Sequence, residues 1–185
     1  MNVYDFDKTI YHGDSTVNFY KYCIRKKPSV LKYIPRQLWA FFMYFIKAYD
    51  KTTMKEKFYC FLNGIDDIDS LVENFWEKNM FKIKEWYLKC KKDSDVIISA
   101  SPEFLLKFPC SKLNINLIAS KVDKNTGIYD GKNCFGKEKV LRFREIYKES
   151  TIENFYSDSL SDTPLALIAQ KAYIVNGNVI SEWKK

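Results

Sequence analysis

The segment Asp5-Phe6-Asp7-Lys8-Thr9 follows directly on Asn2-Val3-Tyr4, a short apolar lead-in that reads as a buried strand. Side chains alternate across an extended backbone, so Asp5 and Asp7 point the same way. At the carboxyl end of a sheet strand such a pair faces the crevice in which α/β folds bind ligands. Two like charges this close are costly unless a cation or a shared proton separates them. The motif therefore predicts an α/β fold, a divalent metal, and a division of labour between a nucleophile and an acid/base. A polar strand end with solvated aspartates is the bland alternative for an isolated Asp-x-Asp, and three further segments weigh against it.

Val96-Ile97-Ile98-Ser99 is a second apolar strand ending in a hydroxyl, and it runs into Ser101-Pro102-Glu103. Ser101 suits a helix N-cap and Pro102 the first helical turn. Free N–H groups at such a helix start, beside a serine hydroxyl, form a cradle for phosphate. Gly136-Lys137-Glu138-Lys139-Val140 opens a basic helix with an ammonium near its start. Asn154-Phe155-Tyr156-Ser157-Asp158-Ser159-Leu160-Ser161-Asp162 reads as a strand followed by two more carboxylates. Hydroxyl, lysine and carboxylates at successive element ends, added to the opening pair, describe a phosphoryl-transfer site.

These four segments, in this order, resemble the haloacid dehalogenase superfamily of phosphohydrolases, and most closely its branch of phosphoserine phosphatase-like enzymes with a helical cap. The resemblance implies a Mg²⁺-dependent phosphomonoesterase working through an aspartyl-phosphate. It makes Asp5 the nucleophile and Asp7 the acid/base, and matches Ser99 to the hydroxyl that holds a phosphoryl oxygen. It implies that Mg²⁺ is held by Asp5, the Asp7 main-chain carbonyl and Asp158, with Asp162 behind or bonded through water. Thr9, Asp14 and Ser101 fall on the substrate side of the site. Thr9 either orients the loop or serves the fold alone. Asp14 matches the residue that meets a substrate amino group, or else caps a helix.

The lysine requires a choice. Positions four and seven after Lys139 are Phe143 and Ile146, both apolar, whereas those after Lys137 are Leu141 and Arg144. Helices of the family this chain resembles carry apolar residues at those two positions after the lysine, so the resemblance implies Lys139 as the partner of Asp5, with Lys137 the alternative and otherwise a solvated surface residue.

The 185 residues are enough for a core and an inserted subdomain, and the content of 46% hydrophobic and 17% aromatic residues excludes disorder. The excess of 30 basic over 23 acidic residues suits anionic partners, but the lysines are scattered and no nucleic-acid recognition motif is present. A small phosphorylated substrate is expected instead. Cys23, Cys60, Cys90, Cys110 and Cys134 form no paired motif and read as buried free thiols of a reducing, cytoplasmic setting. With a strand read from residue 2, no signal peptide is expected. The lone His12 lacks a nucleophile elbow and reads as an exposed loop residue.

Residues 1–13 and 93–185 are expected to form a three-layer, Rossmann-like α/β core with a parallel sheet, and residues 14–92 an all-helical cap. Helical stretches are read at Asn18–Arg25, Val30–Ala48, Lys55–Leu62 and Ile68–Lys89. In the core, Asn116–Ser120 and Ile128–Tyr129 read as a hairpin. Lys137–Lys148 and Thr163–Gln170 read as helices, and Tyr173–Val175 with Val179–Ile180 as a closing hairpin. The cap segment Lys55-Glu56-Lys57-Phe58-Tyr59 lacks the arginine with which phosphoserine phosphatases hold a carboxylate, Lys57 being the nearest substitute, so phosphoserine is not favoured. The run Leu38–Ile46 has nine apolar residues with basic flanks. It is too short for a span, which needs about 20. Burial between cap and core is the expectation, with a membrane-surface helix as the alternative. Accordingly a lipid head-group phosphatase, like a phosphotransferase, is the alternative function; a non-catalytic phosphate-binding module is disfavoured because every catalytic position is filled.

Overall fold

The structure, a computed structural model, describes residues 1–184. Its sheet has the order β3-β2-β1-β4-β5-β6, built from β1 (Asn2–Tyr4), β2 (Val96–Pro102), β3 (Asn116–Ser120), β4 (Ile152–Ser157), β5 (Ala169–Asn176) and β6 (Val179–Glu182). The first five strands are mutually parallel, and β6 returns antiparallel to β5. Parallel strands need covering on both faces, which explains why β1 is buried throughout and the start of β2 is continuously apolar. Val3, Val96, Ile98 and Phe155 pack on one face with Phe143, Leu165 and Ala166. Tyr4, Ile97 and Tyr156 turn to the other, against Phe19, Trp76, Tyr87 and Leu105. The period of two along each strand thus separates two cores and gives the three layers.

Between β1 and β2 the chain is helical: α1 (Ser15–Lys26), α2 (Ile34–Phe45), α3 (Lys51–Phe58), α4 (Ile68–Glu77) and α5 (Glu85–Cys90), joined by 3-10 turns. Aspartates start three of them. Asp14 accepts from Val17 N at 2.9 Å, Asp50 from Thr53 N at 2.7 Å and Asp67 from Ser70 N at 3.1 Å. α4 buries Ile68, Val72, Phe75 and Trp76, a helical stripe. The Trp76 indole N–H donates to the Leu105 carbonyl at 2.6 Å and ties the insertion to α6 (Glu103–Leu113). On the opposite face of the sheet lie α7 (Lys137–Tyr147) and α8 (Thr163–Ile168).

Several expected elements are redrawn. Val30–Ala48 is not one helix: a 3-10 turn, Pro28–Tyr33, precedes α2. Lys55–Leu62 instead ends α3 and continues as the 3-10 turn Tyr59–Gly64. Ile68–Lys89 is not one helix: α4 stops at Glu77, and a 3-10 turn follows at Met80–Lys82. Helix α5 starts only at Glu85, after Ile83 bridges to Tyr11 and Lys84 N donates to the Ile10 carbonyl at 2.8 Å. Asn116–Ser120 pairs parallel with β2, and only Val122 and Tyr129 bridge across the turn beyond it. The helix read at Thr163–Gln170 stops at Ile168, where β5 begins. Cys90 is exposed, unlike the other four thiols.

The expectation that Leu38–Ile46 is buried between cap and core is overturned. Within α2 only Gln37 and Ala40 are buried, and Leu38, Trp39, Phe42, Phe45 and Ile46 face solvent. Gln37 is held by Tyr20 Oη, which donates to its Oε1 at 2.5 Å, and donates to the Phe58 carbonyl at 2.9 Å. That polar clamp fixes which side of the helix turns inward.

Candidate active site

The sheet order places β1 between β2 and β4, so the chain diverges to either side of β1. The crevice beyond the carboxyl ends of such strands is where this class of sheet binds ligands. Asp5 N donates to the Tyr156 carbonyl at 2.9 Å, prolonging β1 pairing by one residue. The chain then folds back over the buried Phe6, with Ile10 N donating to the Phe6 carbonyl at 3.1 Å and Lys8 N to the Gly13 carbonyl at 2.9 Å. Asp5 and Asp7 both line one cavity of about 370 Å³.

Lys139, in the first turn of α7, is buried, and its Nζ donates to Asp5 Oδ1 and to Asp162 Oδ2, both at 2.7 Å. Burial works against its charge, but the two carboxylates outweigh burial and hold its pKa above the ordinary lysine value. Asp5 responds oppositely. Burial pushes its carboxyl up to about 7, Lys139 opposes that, and Asp162 adds to it. Lys137 is exposed, as expected. The reasoning from spacing was half right, because Phe143 is buried while Ile146 is exposed.

Asp7 Oδ1 accepts from Ser15 N at 2.6 Å, and Asp7 Oδ2 from Ser101 Oγ at 2.5 Å. Burial and the charge of Asp14 raise its pKa to about 6 against these hydrogen bonds. Ser101 is therefore not a helix cap: α6 begins at Glu103, Pro102 takes the cap position, and the serine hydroxyl is spent on Asp7. Ser99 is also buried, and its Oγ accepts from Ser101 N at 3.1 Å. A break in the β2–β3 register between Ile98 and Pro102 lets both serines turn into the crevice.

Thr9, grouped with the substrate side and read as orienting the loop or serving the fold, is wholly buried. Its Oγ1 donates weakly to Asp5 Oδ2 at 3.4 Å and accepts from Asp158 N at 2.9 Å, so it pins the Asp5–Thr9 loop to the end of β4. Asp158 lines the cavity, and burial raises its pKa. Asp162 is held by Lys139 and by Ser157 Oγ at 2.8 Å. Its other oxygen, Oδ1, is buried without a protein hydrogen-bond partner. Asp14 caps α1 and also lines the cavity.

Helix α3 also contributes to the lining. Lys51, Met54, Lys55 and Phe58 share one helical stripe and all face the cavity. Lys55 Nζ donates to the Ala100 carbonyl at 2.8 Å and to Asn133 Oδ1 at 3.1 Å, both neutral acceptors. Burial, then the charge of Lys51, lowers its pKa to about 8. Sequence reading looked to Lys57, which does not line the cavity; the basic pair at i and i+4 was the available signal.

Comparison with known proteins follows the same outline. The profile of a family described as haloacid dehalogenase-like hydrolase matches residues 3–167. No curated protein matches the sequence significantly. Among solved structures, a protein of unknown function from Bordetella pertussis Tohama I superposes with a TM-score of 0.74 at 17% identity, over 93% of this chain and 87% of that one. A phosphoserine phosphohydrolase-like protein from Francisella tularensis gives 0.56 at 15% identity, over 93% and 86%. A probable phosphoserine phosphatase from Vibrio cholerae gives 0.62 at 12% identity, over 92% and 55%. At these identities the structures speak to the fold.

Proposed function

Because this chain belongs to the haloacid dehalogenase-like hydrolase family, we propose that it is a Mg²⁺-dependent phosphomonoester hydrolase acting through an aspartyl-phosphate on Asp5. The observation that supports this reading best is the buried 2.7 Å contact between Lys139 Nζ and Asp5, in a cavity shared with Asp7, Ser99 and Asp158. An Asp5 oxygen attacks phosphorus, the bond to the leaving oxygen breaks, and Asp7 gives that oxygen a proton. In the second half Asp7 takes a proton from water as the water attacks phosphorus, releasing inorganic phosphate and regenerating Asp5.

The other residues divide by where their protons go. Ser99 Oγ accepts from Ser101 N, which leaves its own proton for a phosphoryl oxygen. The Ser101 proton is committed to Asp7, so Ser101 positions the acid/base. Lys139 keeps its charge and balances Asp5 together with charge developing on the phosphoryl group.

Mg²⁺, when bound, supplies charge neutralisation and alignment of the phosphoryl group. Asp5, Asp158 and the Asp7 main-chain carbonyl would hold it, with Asp162 reaching it through water. The donors are all oxygen, as a hard cation requires. The unpartnered, buried Asp162 Oδ1 fits as well, since such an atom normally has a water or ion beside it. Among the described residues, no three acidic, histidine or cysteine side chains group as a cage by themselves.

The α3 wall points to the substrate class. Lys51 and Lys55 line the same cavity as the carboxylates, together with Phe41, Phe58 and Phe135. This suits a small phosphomonoester bearing a second acidic group and an apolar part. The test is turnover of p-nitrophenyl phosphate and of a panel of phosphorylated metabolites by purified protein. Mg²⁺-dependent turnover that Asp5→Asn abolishes is expected, and Lys55→Met should raise KM for acidic esters more than for the aryl phosphate. Failure to hydrolyse any phosphomonoester with Mg²⁺ present would sink the reading.

A further inference from the structure

Helix α2 shows solvent an apolar stripe. Leu38, Trp39, Phe42, Phe45 and Ile46 recur at helical spacing, with Leu38 63%, Phe42 52% and Phe45 84% exposed. The rings of Trp39 and Phe42 lie 5.8 Å apart. Single exposed apolar side chains are ordinary, whereas a continuous face of large ones marks a surface that meets something.

Charge around the stripe says what it meets. From Ser15 to Tyr49 the chain has seven basic residues and no acidic one. That segment accounts for the whole net charge of +7, and the remainder is balanced at 23 of each sign. Lys32, Arg36 and Lys47 flank the stripe, and among the described residues only Lys27 of the seven pairs with a carboxylate, Asp66 at 2.7 Å. Aromatic and aliphatic side chains rimmed by unpaired cations match a bilayer with anionic headgroups, where rings enter the acyl boundary and cations stay at the phosphates. A second copy of this chain would instead bring the same positive charges against these. At 12 residues, α2 is about 18 Å long. No helix among the described residues is long and apolar enough to cross a membrane, so α2 would lie along the surface.

We infer that α2 docks the protein on an anionic bilayer surface. Phe41, on the same helix, lines the catalytic cavity, so docking brings the mouth of the cleft to the bilayer. The inference stands on exposure and charge and does not depend on the proposed catalysis.

The test is co-sedimentation of the full chain with phosphatidylcholine vesicles, with and without phosphatidylglycerol. Binding should require the anionic lipid and weaken with salt. The double substitution Phe42→Ser with Phe45→Ser should reduce partition by about tenfold or more. Arg36→Glu with Lys47→Glu should do the same by reversing charge. Both variants should keep the melting temperature and aryl-phosphate turnover, since all four side chains are exposed and none lines the cavity. A blue shift of tryptophan emission on binding, lost in Trp39→Phe, would support the orientation. Equal binding to neutral vesicles, or binding unchanged by the serine substitutions, would overturn the inference. So would a dimer in lipid-free buffer that those substitutions dissolve. Vesicle binding without phosphatase activity would uphold docking and refute the catalytic reading alone.

Discussion

Replacing Lys139 with methionine removes an ammonium that donates to two buried carboxylates, Asp5 and Asp162, at 2.7 Å each. Methionine keeps much of the side-chain length, so the perturbation is mainly of charge. Breaking a buried ion pair by deleting one partner typically costs about 3–5 kcal/mol, because the remaining charge is left uncompensated. For a chain of this size that lowers the melting temperature by ~6–20 °C. The total stability of such a domain is about 5–15 kcal/mol, so the variant should still fold. The deficit should depend on pH. Asp5 holds its proton more tightly folded than unfolded, with a folded pKa of about 7 against 3.8. Its burial therefore costs most above that window and is relieved as pH falls through it. Removing Lys139 takes away the influence that opposes this shift, so the window should move upward. Urea denaturation at pH 8 and pH 5 measures both effects, and aryl-phosphate turnover should fall by about 10²–10³-fold. Adding Asp162→Asn should recover stability and not turnover, separating the structural role of Lys139 from the catalytic one. Lys137→Met, at an exposed position, should change stability by less than about 0.5 kcal/mol. A Lys139→Met variant as stable and as active as Lys137→Met would refute the reasoning.

Asp5→Asn should abolish turnover, Asp7→Asn should reduce it by about 10²–10⁴-fold, and beryllium fluoride or labelled substrate should mark Asp5. An adduct on Ser99 would overturn the mechanism. Chelation should silence the enzyme, Mg²⁺ should restore it and Ca²⁺ restore it poorly, because Ca²⁺ prefers more ligands at longer distances. In a Mg²⁺ titration of activity, Asp158→Ala should shift the midpoint more than Asp162→Ala, and the reverse order would exchange their roles. At Gly127, φ is +76° and an added Cβ would stand 2.5 Å from Tyr59 Cβ and 2.8 Å from the Tyr59 carbonyl oxygen. Gly127→Ala should therefore destabilise by about 1–3 kcal/mol or more, read as an earlier thermal melt. An unchanged melt would mean that this turn does not press on α3 and its 3-10 extension.

Much of this protein was legible along the chain because the relevant information is local. The Asp5–Thr9 motif, the apolar run Val96–Ile98 and the closing Asn176-Gly177-Asn178 turn are set by neighbours in sequence, and they fixed the α/β class and the ends of its strands. Periodicity also identified the insertion as helical, and the family's lysine spacing picked out the buried Lys139, although Ile146 of that spacing is exposed. What needed the tertiary structure was which partner each polar group finds. Ser101 looked like a cap, yet it spends its proton on Asp7; Thr9 was open between orienting the loop and serving the fold, and it joins Asp5 to Asp158 across the sheet. The extended stretch at Ile83 and Lys84 before α5 likewise arises from Tyr11 and Ile10, far away in sequence. The nine apolar residues of Leu38–Ile46 carry too little period to show an inner side, and the Gln37 clamp to Tyr20 and Phe58 decided it. Composition told that the segment was hydrophobic; only packing determined that it would be left in solvent, because burial is settled by what else the chain brings to that face.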